Sequence, residues 1–353
     1  MSDAARRAVA LGGAIAMIGV AMVARNRLDD SGGSSDGGGG ESNGTRTLVC
    51  PPELEDACMA VATDADVEVR IEDPTATADA LSTARRAAEL DGDTDLWLTT
   101  KPWIESVQDA RKRTNLRPLL GQATDPIARS PVMLVIYDDA AAALESGPCQ
   151  GAIGWRCVGE AADQQWRDVG GDPTWGSVKI GLTDPSSASG LVVLGGAGGG
   201  FLGSADYASN DFDGGLVNWL QPMVDDSSAA RDPRPLVTRM LTGGRGTFAA
   251  VGATEVTARE VAKARRDDVR VLMPDPQAVA SLVVVPIGDD PDDGAAEDLA
   301  GEDTLLDALA TQGWRVPDHD LAEGIDPALD LPRDDGVPQG AVLRALLDRW
   351  TGL

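Results

Sequence analysis

Ser186, Ser187 and Ser189 follow Asp184-Pro185 at the end of a run in which Val178, Ile180 and Leu182 alternate with small or solvated residues. The alternation predicts a strand, Asp184-Pro185 stops it, and each serine suits the N-cap of a helix that begins there. Such a helix start gathers unpaired backbone N–H groups and several hydroxyls around one point. That is the chemistry of a small-ligand cradle with a bias toward oxyanions. The same residues also suffice for an ordinary capped connection between a strand and a helix, so they mark a place without naming a ligand.

Other chemistries find less support. The single histidine, His319, lies in an acidic, Pro-containing loop, and there is no G-x-S-x-G elbow, so neither a Ser-His-Asp hydrolase nor a His-rich metal site is expected. Gly198-Gly199-Gly200-Phe201-Leu202-Gly203 matches G-x-G-x-x-G, but it sits mid-chain among glycines rather than in the first βα turn of a domain. If a helix starts at the serines, residues 191–194 are helical and these glycines are its frayed end. Gly243-Gly244-Arg245-Gly246-Thr247 lacks the Walker lysine. The acidic runs 289–293 and 318–335 lack the D-x-D-x-D-G spacing of a calcium loop. No metal ligand, cofactor or catalytic residue is expected.

Strand-like apolar runs at 47–49, 67–71, 95–98, 133–137, 178–182, 248–251, 269–273 and 282–287 are separated by helical patterns, among them 53–63, 77–89 and 256–265. This alternation predicts an α/β fold with mainly parallel sheets covered by helices. Before it, residues 8–24 form an uncharged apolar run flanked by Arg6, Arg7, Arg25 and Arg27. Residues 1–28 therefore read as a membrane anchor, a transmembrane helix at the short end of the spanning range, with a cleaved secretory signal as the alternative. Either places the remainder outside the cytoplasm. Residues 29–46 form a Gly/Ser-rich linker that reaches about 20 Å as a random coil.

A formal net charge of −27, from 57 acidic and 30 basic residues, disfavours a nucleic-acid or anionic-membrane surface. The four cysteines, Cys50, Cys58, Cys149 and Cys157, point to disulfides in an exported chain. Three connectivities are open; the local one, Cys50–Cys58 and Cys149–Cys157, is expected because each pair closes a short segment.

The serine segment resembles the mid-chain helix signature of extracellular solute-binding proteins of the periplasmic-binding type II fold. It is similar to the molybdate-binding branch and to surface modules found alone or ahead of a von Willebrand A domain. Thr94-Asp95-Leu96-Trp97-Leu98-Thr99-Thr100-Lys101-Pro102-Trp103, Pro131-Val132-Met133-Leu134-Val135-Ile136-Tyr137, Phe248-Ala249-Ala250-Val251-Gly252-Ala253-Thr254-Glu255 and Gly313-Trp314-Arg315-Val316-Pro317 follow the family's order. The resemblance implies a two-lobed fold, with residues 47–134 and 270–353 in one lobe and 135–269 in the other, closing without catalysis on a small ligand. It implies contacts from Thr99 and Thr100 on one side and Ser186, Ser187, Ser189 and Thr254 on the other, with Lys101 as a counter-charge. The implied partners are a small ligand, with an oxyanion among the candidates because of the serines, and a membrane permease or a von Willebrand A protein. A surface protein–protein module that has lost the ligand is the alternative. One departure stands out: Cys50-Pro51-Pro52 occupies the place where the family often has a Ser or Thr, and neither proline has an N–H to offer.

Overall fold

The computed structural model describes residues 45–63, 67–90, 92, 94–212, 214–228 and 234–352. The expected membrane segment, and the linker up to residue 44, lie outside them. Among the described residues no helix is long and apolar enough to cross a membrane.

The chain opens as β1 (Arg46–Cys50), α1 (Glu55–Val61), β2 (Val67–Ile71), α2 (Pro74–Thr83), β3 (Leu96–Thr100) and α3 (Lys101–Arg113). β2 and β3 both pair parallel with β1, as strands joined through helices do. Local chemistry sets the helix starts. The Asp73 carboxylate accepts the Thr75 N–H ahead of α2, and Pro74 and Pro102 sit in first turns where a missing N–H costs nothing. Every residue of β3 is buried.

β4 (Ala128–Tyr137) then runs through both halves of the molecule. Its residues 128–131 pair antiparallel with β8 (Val279–Pro286), and residues 132–137 pair antiparallel with β6 (Ala250–Thr254) and β7 (Val269–Leu272). β5 (Ile180–Leu182) lies parallel to β6. Among the described residues the result is one sheet of eight strands in the order β2-β1-β3-β8-β4-β6-β5, with β7 on β4. Three of the strand pairings are parallel and four antiparallel, so the sheet is mixed rather than mainly parallel. The cause is the pair of long strands shared by the halves: β4 and β8 oppose each other and their flanking neighbours.

Helices cover both halves and make a two-lobed α/β molecule. α4 (Asp138–Ser146), α5 (Trp155–Ala161), α6 (Gly190–Leu202), α7 (Gly214–Ser228), α8 (Leu236–Gly243), α9 (Glu255–Ala258) and α10 (Glu260–Lys263) belong to the β5-β6-β7 half. α11 (Asp293–Ala300), α12 (Asp303–Gln312) and α13 (Gly340–Thr351) return to the first. The disulfides are Cys50–Cys58, tying β1 to α1, and Cys149–Cys157, tying the loop after α4 to α5. Neither joins the two halves.

α6 is the buried axis of this arrangement. Leu191 packs with Trp97, Trp103, Val283 and Leu343 of the first half, while Val192, Val193 and Leu194 pack into the larger core. Its glycines are neither a phosphate loop nor a frayed end. They lie within the helix, where a Cβ on Gly195 would stand 2.6 Å from Leu343 Cδ2 and one on Gly200 2.5 Å from Trp155 Cβ. The helix ends at Gly203, which is left-handed at φ 76°.

Candidate functional site

The serine segment lies at the start of α6, facing the first lobe. Asp184 organises the turn: one oxygen of its carboxylate accepts from the Ser186 N–H (3.0 Å) and hydroxyl (2.8 Å), and its carbonyl accepts from the Ser187 N–H (3.1 Å) and hydroxyl (2.8 Å). The Ser187 hydroxyl in turn accepts the Gly190 N–H at 3.0 Å. The Ser187 hydroxyl thus satisfies one of the orphan donors of the helix start, and Asp184 ties down the turn ahead of it.

Four residues of the first lobe close on this turn, one for each successive position. The Thr75 hydroxyl donates to the Ser186 carbonyl (3.3 Å), Trp103 Nε1 to the Ser187 carbonyl (3.2 Å) and the Thr100 hydroxyl to the Ala188 carbonyl (2.6 Å). At the fourth position the direction reverses, and the Ser189 N–H donates to the Glu53 carboxylate at 2.8 Å. Glu53 stands in the single turn of 3-10 helix, Pro52–Leu54, between β1 and α1. The residue keeps exposed surface, and its carboxyl meets the serine turn of the other lobe. Desolvation pushes its pKa up, opposed by hydrogen bonds from the Ser189 N–H and the Ser189 and Ser187 hydroxyls, with nearby Asp184 adding to the upward push.

The residues expected to hold a ligand are thus placed as follows. Thr100, Ser186, Ser187 and Ser189 come together, bonded to one another's lobes. Thr99 is fully buried on β3, and among the described residues its hydroxyl has no hydrogen-bond partner. Lys101 points away, its ammonium 4.0 Å from Glu105 and its side chain 56 % exposed. Thr254 ends β6, buried, two residues past the Gly252 carbonyl that accepts the Thr183 N–H and hydroxyl. Sequence reasoning missed Glu53, Thr75 and Trp103. The one available signal was Glu53 itself, an acid directly after Cys50-Pro51-Pro52 where a hydroxyl residue was sought.

Four carboxyls, three of them half-buried and Glu53 on a residue that keeps exposed surface, share one titration behaviour. Burial is the largest influence on Glu53, Glu105, Asp226 and Asp335, and it raises all four pKa values. A carboxyl whose pKa is higher in the folded chain stabilises it fully below the unfolded value, near 4, and loses that contribution as pH rises through the folded value. The lowered pKa values of Asp172 and Asp268 act oppositely, but at solvent-exposed positions and only below about pH 4. Tm should therefore rise between about pH 8 and pH 5 in a thermal melt series, and the net charge of −27 adds to the trend. A flat or falling Tm over that range would contradict the assignment.

No family model and no curated protein matches the sequence. Solved structures do resemble the fold. The periplasmic binding protein AfuA of Actinobacillus pleuropneumoniae, with fructose-6-phosphate bound, matches with a TM-score of 0.55 and 12% identity over 88% of this chain and 98% of its own. The periplasmic binding protein P5PA gives 0.53 and 14% over 88% and 99%, and a periplasmic thiamin binding protein 0.52 and 13% over 91% and 99%. With the strand-sharing lobes and the central helix between them, these likenesses give the chain the two-lobed α/β fold of periplasmic solute-binding proteins.

Proposed function

We propose that the chain is a non-catalytic solute-binding protein that captures a small ligand between its lobes, at the start of α6, outside the cytoplasm. The observation that carries this reading is the set of four inter-lobe hydrogen bonds from Thr75, Trp103, Thr100 and Glu53 to residues 186–189. They are local and polar, and no disulfide crosses with them, so the lobes can part there and rejoin around a solute. AfuA with its sugar phosphate and the thiamin binding protein show that proteins of this fold hold small polar molecules.

Residues 8–24 would keep the domain at the membrane, with residues 29–46 as its tether and a permease as the partner that receives the solute. A von Willebrand A protein is the other partner that the sequence resemblance implies, and the lobe limits 47–134 with 270–353, and 135–269, belong to the same reading. Intact-mass analysis of the mature chain tests the anchor: a start near Met22 would mean a secreted domain.

Ligand capture is tested by thermal melting of the purified chain against a panel of sugars, amino acids, vitamins and inorganic anions. A ligand present at 100 times its Kd stabilises by about 2.7 kcal/mol, enough to raise Tm by several degrees. At least one compound should do so; a panel without any hit would count against the proposal.

A further inference from the structure

A helix start lined with serines would ordinarily favour an anion. Here the place of the anion is taken. The Ser189 N–H, the donor that α6 directs toward the first lobe, is held at 2.8 Å by the Glu53 carboxylate, a group from 136 residues earlier in the chain. A second acid, Asp184, lies close enough to act on Glu53 electrostatically. No cation offsets them: among the described residues neither Glu53 nor Asp184 takes part in an ion pair with a Lys or Arg, and Lys101 is turned toward Glu105. Two carboxylates and no base make the rim of this cradle electronegative, although its floor is a helix N-terminus.

From this geometry we infer that Glu53 sets the charge class of the solute: it fills the anion position itself, so the cleft rejects oxyanions and takes a ligand that presents a cationic or N–H donor group to Glu53 and Asp184. The inference rests on the ligand-binding reading above and reverses the oxyanion bias of the serines taken alone. The physical basis is simple. An oxyanion would have to displace a tethered carboxylate from the Ser189 N–H while lying beside a second negative charge. An organic cation meets both carboxylates as counter-ions and leaves the Ser189–Glu53 bond in place.

The test uses the full chain, with sodium sulfate and sodium phosphate as oxyanion probes and putrescine, choline and arginine as cation probes, at constant ionic strength. The wild type should show no Tm rise with either oxyanion and a rise of about 2 °C or more with at least one cation. Glu53→Ala empties the cradle and should bind sulfate, seen as a saturable Tm rise absent in the wild type, while its affinity for the cation falls at least tenfold. Glu53→Gln, which keeps the shape and can still accept the Ser189 N–H, serves if the alanine variant does not melt cooperatively: it should lose the cation and remain blind to sulfate. Sulfate or phosphate binding by the wild type would overturn the inference. So would a folded Glu53→Ala variant that gains no sulfate binding, or a Glu53→Gln variant that keeps the wild-type cation affinity. The sulfate arm needs no knowledge of the natural ligand, so its failure is distinct from an empty ligand panel.

Discussion

Arg315→Met should lower stability by about 3–5 kcal/mol, which for a chain of this size corresponds to a Tm drop on the order of 10 °C. Arg315 Nε and Nη2 donate to the two oxygens of Glu255 at 2.7 and 2.8 Å, and Nη2 also reaches the Asp326 carbonyl at 2.6 Å. The side chains are 13 % and 5 % exposed, so the variant leaves the Glu255 carboxylate buried without its cation. The pair joins the first residue of α9, directly after β6, to the segment that bridges back to Arg129 on β4. It thus fixes the region where strands pass between the lobes. The exposed pair Arg46–Asp292, at 44 % and 66 %, provides the comparison, and Arg46→Ala should cost no more than about 1 kcal/mol. The double variant Glu255→Gln/Arg315→Met should recover part of the loss, because no buried charge is then left alone. Equal urea midpoints for Arg315→Met and Arg46→Ala would refute the assignment.

Gly190→Ala should be the most damaging change at the candidate site. A Cβ at this position would lie 1.7 Å from the Asp184 carbonyl oxygen, which is backbone and cannot rotate aside. That oxygen accepts both Ser187 donors, so relieving the clash means opening the turn that presents Ser189 to Glu53. The cost should lie at the upper end of the roughly 1–3 kcal/mol typical of overpacking. Ligand response in a thermal melt should fall with it. An alanine variant that melts like the wild type would show that the turn is not held as described.

The sequence made the order of elements legible because strands and helices alternate with distinct apolar periods. The strand expected at 67–71 coincides with β2, and Cys50–Cys58 and Cys149–Cys157 pair locally as each short segment suggested. β4 was foreseen only from residue 133, because Arg129, Ser130 and Pro131 interrupt the apolar pattern although they extend the strand back to Ala128. Those are the residues that pair with β8, so the antiparallel character of the sheet was hidden with them. The serine turn was readable because its cap chemistry is local, Asp184 to Ser186 and Ser187 to Gly190. Of its first-lobe partners only Thr100 was legible, through the family resemblance; Thr75, Trp103 and Glu53 reach the turn across 84 to 136 residues, and the acid at Glu53 was the one local signal.

Capture of a solute at the start of α6 is tested most directly by hydrogen exchange of the full chain, with and without a compound that raises its Tm. Slowed exchange should centre on the amides of 186–190 and on the facing segments around Glu53, Thr75 and 100–104, where the inter-lobe bonds form. Protection confined to another place, such as the cavity of about 160 Å³ between β2 and α2 lined by Arg70, Glu72, Thr77 and Thr94, would contradict the account.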